Sequence, residues 1–166
     1  MSCNQDIWAA SQTGNVSRLR ELIAAKTDIN MRNGIKDTPL HKAVEKNHSA
    51  AAQMMIDAKA TIDVKNAYDN TPLHYAAWNN NIQALQVLLD AKADITIQGN
   101  GGTALQRAEQ CVEKDSANIL HAAAMIHEFN VAHDGNTDTV QRILSLKGSL
   151  DWHTKAGCTP LMEAVL

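Results

Sequence analysis

Thr38-Pro39-Leu40-His41-Lys42-Ala43 returns 33 residues later as Thr71-Pro72-Leu73-His74-Tyr75-Ala76. Thr103-Ala104-Leu105-Gln106 follows 32 residues after Thr71, and Thr159-Pro160-Leu161-Met162 comes 56 residues after that. A second marker keeps the same phase: Ala25-Lys26, Ala58-Lys59 and Ala91-Lys92 each precede an isoleucine, Ile29, Ile62 or Ile95. Leu146-Lys147 with Leu150 is a fourth copy. A third marker is apolar: Leu19, Leu22, Ile23; Ala52, Met55, Ile56; Leu85, Leu88, Leu89; and Val140, Ile143, Leu144. That spacing places three side chains on one face of a helix.

Each part of the unit has a physical reason. Thr before a helix accepts a backbone N–H, and Pro at the first helical position gives up a donor that has no partner there. Thr103 and Gln106 have the spacing of a capping box. Each unit therefore reads as cap, short helix, turn at Asn or Gly, second helix, and extended loop. One such helix pair cannot bury its apolar face alone, but a stack of copies can.

These residues resemble the ankyrin family, whose 33-residue unit carries Thr-Pro-Leu-His-x-Ala. Gly135 and Gly157 also stand where that family places glycines. The resemblance covers about residues 4–166 and implies an all-α solenoid of stacked antiparallel helix pairs with extended finger loops. Its units are expected at about 4–33, 34–66, 67–99, 100–125 and 126–154, with a partial unit at 155–166 and an irregular junction at 112–134. Lys26, Lys59, Lys92 and Lys147 occupy the family's usual glycine slot after the second helix. Lys26, Lys59 and Lys92 are expected in the left-handed backbone region, and all four, as cations at a helix C-terminus, favour its dipole. The chain stops at Leu166 inside an expected helix, the pattern of a fragment of something longer.

The junction is the least regular stretch. Between Ser116 and Asp134 no Gly or Pro forces a reversal. Asp115 or Ser116 can cap a helix start and Gly135 can end it. Local chemistry thus predicts one helix of about 18 residues or a tight turn near Ala124–His127 in place of the loop. Either could redirect the last unit, so self-association through the junction or the C-terminal end is a further expectation.

Function is read more coarsely than fold. The family is mainly protein-binding, and its contact positions carry over by phase. They are Ile35, Asp37, Glu45 and Lys46 in the second unit, Tyr68, Asn70, Trp78 and Asn79 in the third, and Gln110 in the fourth. Tyr75 joins them, three residues before Trp78 on the same inner helix. Tyr68, Tyr75 and Trp78 are three of six aromatics in the chain, and aromatics at such positions make hot spots. The expected function is a scaffold or adaptor holding another protein on a concave face. The alternative is a regulatory or substrate-docking fragment of a larger multidomain enzyme.

Other classes find little support. The net charge is −3 and the pI near 6.1, without the basic footprint of a nucleic-acid binder. Cys3, Cys111 and Cys158 show no paired spacing, which fits a reducing compartment and neither a disulfide framework nor a zinc site. His121, His127 and His133 recur every six residues, which spreads them around a helix axis. Gly99-Asn100-Gly101-Gly102-Thr103 lacks the Gly-Lys-Ser/Thr ending of a phosphate loop and reads as a shortened finger using glycine for positive φ. No catalytic, cofactor or metal residue is expected. No apolar run approaches the ~20 residues that span a bilayer, and no secretory signal is visible. The expected location is intracellular and cytoplasmic.

Overall fold

A computed structural model describes the backbone of residues 3–133 and the side chains of residues 6–127. Eight helices lie in this range: α1 (Cys3–Thr13), α2 (Val16–Ala24), α3 (Pro39–Glu45), α4 (Ser49–Asp57), α5 (Pro72–Trp78), α6 (Ile82–Asp90), α7 (Ala104–Glu109) and α8 (Asp115–His133). Among the described residues there is no strand, only an isolated bridge between Gly99 and Gly102. The chain divides into two compact units, Met1–Asn118 and Ile119–Leu166.

In the first unit, α1 pairs with α2, α3 with α4, and α5 with α6. The inner helices α1, α3, α5 and α7 stack in order, and the outer helices α2, α4 and α6 stack beside them. The core is the apolar pattern of the repeat. Leu19, Leu22, Ala52, Met55, Leu85 and Leu88 are buried on the outer helices, with Leu40 and Leu73 on the inner ones. The third member of each outer set, Ile23, Ile56 or Leu89, is half-buried. Alanines fill the tightest positions: Ala43, Ala76 and Ala108 on α3, α5 and α7 are each fully buried. Small side chains there let neighbouring helices approach closely, so the layers are thin.

Both helix ends in a pair rely on left-handed residues. Lys26, Lys59 and Lys92 have φ of 57°, 70° and 65°. Just beyond them, the Thr27, Ala60 and Ala93 N–H groups donate to the Leu22, Met55 and Leu88 carbonyls at 3.0, 2.9 and 3.0 Å. This is the Schellman closure, usually made at glycine. The lysines therefore stand in the strained conformation that their phase implies; Lys147 lies outside the described residues. The turn inside each pair uses Gly14, Asn47 and Asn80, at φ of 66°, 56° and 51°. Gly14 also has no room for a side chain, since a Cβ there would meet His48 Nδ1 at 2.6 Å.

Stacking is reinforced by side chains that reach across units. His48 Nε2 lies 3.1 Å from the Gln12 carbonyl. Asn81 Nδ2 donates to the Val44 and Glu45 carbonyls at 2.8 and 3.1 Å. These bonds reach carbonyls at the C-terminal ends of the inner helices, where helical partners run out.

At the irregular junction, α8 runs unbroken for 19 residues. Positions 125 and 126, drawn above as a boundary between units, fall inside it, and no tight turn forms at 124–127. Ala117 and Leu120 are buried, as their phase requires, and His121, which stands in the third apolar position, is exposed. The expected units beyond His133, and any redirection of them, lie outside the described residues.

Candidate functional site

The finger loops are built by side chains that imitate backbone. Asn33 Oδ1 accepts the N–H groups of Ile35 and Asp37 at 3.0 and 2.9 Å. One unit on, Asn66 Oδ1 accepts those of Tyr68 and Asn70 at 2.9 and 3.1 Å. Adjacent tips are laced together, the Ala67 N–H donating to Ile35 O at 2.9 Å and the Asn100 N–H to Tyr68 O at 3.1 Å. The third finger is one residue shorter and closes as a tight Gly99–Gly102 hairpin, with reciprocal N–H···O bonds of 2.9 and 3.2 Å. Gly101 and Gly102 supply the positive φ it needs.

Histidine fixes the fingers to the helices. His41 Nδ1 accepts the Thr38 N–H at 3.0 Å and lies 2.9 Å from the Thr38 hydroxyl. Its Nε2 lies 3.2 Å from the Asn70 carbonyl in the next unit. An accepting Nδ1 leaves the proton on Nε2, which donates to that carbonyl. His74 repeats the arrangement with Thr71 and with the Gly102 carbonyl. Burial pushes both imidazoles below their ordinary 6.5, against the upward pull of those carbonyls. Both rings are therefore structural, neutral ties between units.

Several expected contact residues belong to this framework instead of the open surface. Asp37 is 1% exposed. Its Oδ1 accepts Asn66 Nδ2 at 2.7 Å, and the same Nδ2 lies 3.0 Å from the Tyr75 hydroxyl. Tyr75 is half-buried and meets the His41 ring edge-on, 5.8 Å between centroids. Burial, then the nearby Asp37 carboxylate, pushes its hydroxyl above the usual 10. Asn70 is half-buried and gives its carbonyl to His41. Asp37 is thus a correction to the expected set: its carboxylate is consumed in joining two fingers and does not face solvent.

The remaining expected residues are accessible. Ile35 is 39%, Tyr68 50% and Trp78 47% exposed; Lys46, Asn79 and Gln110 are exposed, and Glu45 is half-buried. Glu45 hydrogen-bonds Lys42 and lies 3.4 Å from Lys46. Burial is the largest single influence and opposes its charge, but the Lys42 hydrogen bond and the charges of Lys42 and Lys46 together outweigh it and hold the carboxyl below its ordinary 4.5. Trp78, half-exposed, carries the Arg107 guanidinium 3.7 Å above its ring centroid, a cation–π stack between units. Cys111 Sγ lies 3.1 Å from the Trp78 carbonyl.

Two members of this face, Lys42 and Arg107, are absent from the contact positions carried over by phase. The signal was available: Lys42, Tyr75 and Arg107 each stand four residues after a capping threonine, at Thr38, Thr71 and Thr103. Together with Glu45, Trp78 and Gln110 three residues further on, they form two rows along the inner helices. No group of three or more metal-ligating side chains occurs among the described residues. No helix among them is long and apolar enough to cross a membrane.

No curated protein matches the chain. A family model described as ankyrin repeats, in three copies, matches residues 7–99, more than half of the chain. Ankyrin repeats are generally protein–protein interaction modules. The matched copies coincide with the three helix pairs and the fingers that follow them, and the chain belongs to the ankyrin-repeat family.

Proposed function

We propose that this chain is a non-catalytic scaffold or adaptor module that holds a partner protein across its finger tips and inner helices. One observation carries the reading: Tyr68 and Trp78 stay half-exposed on a face where the residues around them, Leu73, His74, Ala76 and Ala77, are buried. A large aromatic left in water forgoes burial that a partner can supply. Ile35 on the preceding finger extends the same apolar strip. Three cysteines without paired spacing support work in the reducing cytoplasm.

The test is affinity capture with the intact chain and with a Tyr68→Ala/Trp78→Ala variant. The reading expects the variant to lose at least about tenfold in partner affinity, about 1.4 kcal/mol, with its thermal midpoint nearly unchanged. A partner retained at full affinity by the variant contradicts it.

A further inference from the structure

We infer that the partner segment lying on this face is acidic, and that Arg107 holds one of its carboxylates. The inference rests on the protein-binding reading above and adds the chemistry of what is bound. Arg107 leaves α7 and spans two units. Its guanidinium carbon lies 3.7 Å above the Trp78 ring centroid. On the finger side, a Cβ at Gly101 would meet Arg107 Nη1 at 2.8 Å, and Gly101 has φ of +103°. A bare glycine tip thus makes the room in which the guanidinium sits.

Along the rows on the inner helices, the two lysines already have carboxylate partners. Lys42 pairs with Glu45 and lies 3.9 Å from Asp37, and Lys46 pairs with Glu45. Two ammonium groups therefore meet two carboxylates. Arg107 takes part in none of the ion pairs found among the described residues. Its Nε is buried without a hydrogen-bond partner. Buried donors are nearly always paired, so an unpaired one calls for a reason.

An acidic side chain supplies the counter-charge that Arg107 lacks, reaching the part-exposed side chain from solvent while Nε itself stays buried. A planar guanidinium donates two parallel N–H···O bonds to a carboxylate. Stacking on Trp78 restrains the arginine beforehand, which reduces the ordering cost of binding. An apolar segment placed there would strip water from the cation and return nothing. Gln110, three residues on at the C-terminal cap of α7 and exposed, offers an amide beside it. The chain's net charge of −3 does not decide the matter, because charges beyond about 8 Å are screened at physiological salt.

The experiment pans a random linear peptide library on the full chain. Selected peptides are expected to be enriched in Asp and Glu. A synthetic copy of the leading peptide should lose about tenfold in affinity when its acidic residue becomes the amide, or when the protein carries Arg107→Gln. The two changes together should cost little more than either alone. Arg107→Lys should recover only part of the loss. The peptide substitution reads the same contact in the unaltered protein, so a poorly folded variant does not blunt the test. Peptides that need Tyr68 and Trp78 but show no acidic enrichment, or ignore Arg107→Gln, overturn the inference and leave the binding face standing. Peptides that also ignore Tyr68→Ala/Trp78→Ala overturn both.

Discussion

His41 Nε2 sits 3.2 Å from the Asn70 carbonyl oxygen, so a side chain on one helix pair holds the finger of the next. Because Nδ1 of the same ring accepts the Thr38 N–H, the imidazole is used at both nitrogens and only in its neutral form. Protonation would place a hydrogen on Nδ1, facing a donor.

This makes stability depend on pH in a defined direction. Burial lowers the folded value of His41 and of His74 below the ordinary 6.5. Between the ordinary and the lowered value, the unfolded chain binds more protons, so stability rises with pH. The contribution is fully present above 6.5 and is lost as pH falls through the folded values. Denaturant midpoints should drop on acidification from pH 7. A His41→Gln/His74→Gln variant, less stable at pH 7, should drop less over the same range. An identical slope in the variant would show that other groups set the acid limb.

The left-handed lysines predict a gain from a simplifying change. Lys26, Lys59 or Lys92 replaced by Gly should be neutral or stabilising, by up to about 1 kcal/mol each, because strain in a non-glycine residue is relieved. A loss above about 1 kcal/mol at each site would mean that the lysine stems contribute more than the backbone strain costs. Gly14→Ala runs the other way, since φ is +66° and His48 stands in the path of a Cβ. It should lower stability by about 1–2 kcal/mol, read as a denaturant midpoint.

The finger network separates framework from contact. Tyr75→Phe removes the hydroxyl beside Asn66 Nδ2 and should cost about 0.5–1.5 kcal/mol of stability. Asp37→Ala takes from the buried Asn66 amide its carboxylate partner, leaving it only the Tyr75 hydroxyl, and should cost about 1–3 kcal/mol. Tyr75→Phe should leave partner affinity unchanged in a direct titration.

The repeat phase made most of the first unit of the fold readable. Thr38, Thr71 and Thr103 fall at helix N-termini, and Lys26, Lys59 and Lys92 fall in left-handed closures, because backbone geometry at a cap or a turn admits few residue types. The absence of Gly and Pro between Ser116 and Asp134 likewise anticipated α8, a statement about local propensity alone. The site was less legible. Asp37 shares its phase with residues at the surface, and only the Asn66 amide from the next finger explains its burial. Spacing does place Arg107 on the face, four residues after Thr103, but not its stack on Trp78. The Asn66 bond and the Trp78 stack are pairings between units, which spacing along one unit does not encode.

The central claim is that the partner lies on the fingers and inner helices. Hydrogen exchange on the chain with and without its captured partner tests it most directly. The account predicts added protection at the finger tips around Ile35, Tyr68 and Asn100 and at the C-terminal ends of α3, α5 and α7, with little change on α2, α4 and α6. Protection concentrated on the outer helices, with the fingers unchanged, would contradict it.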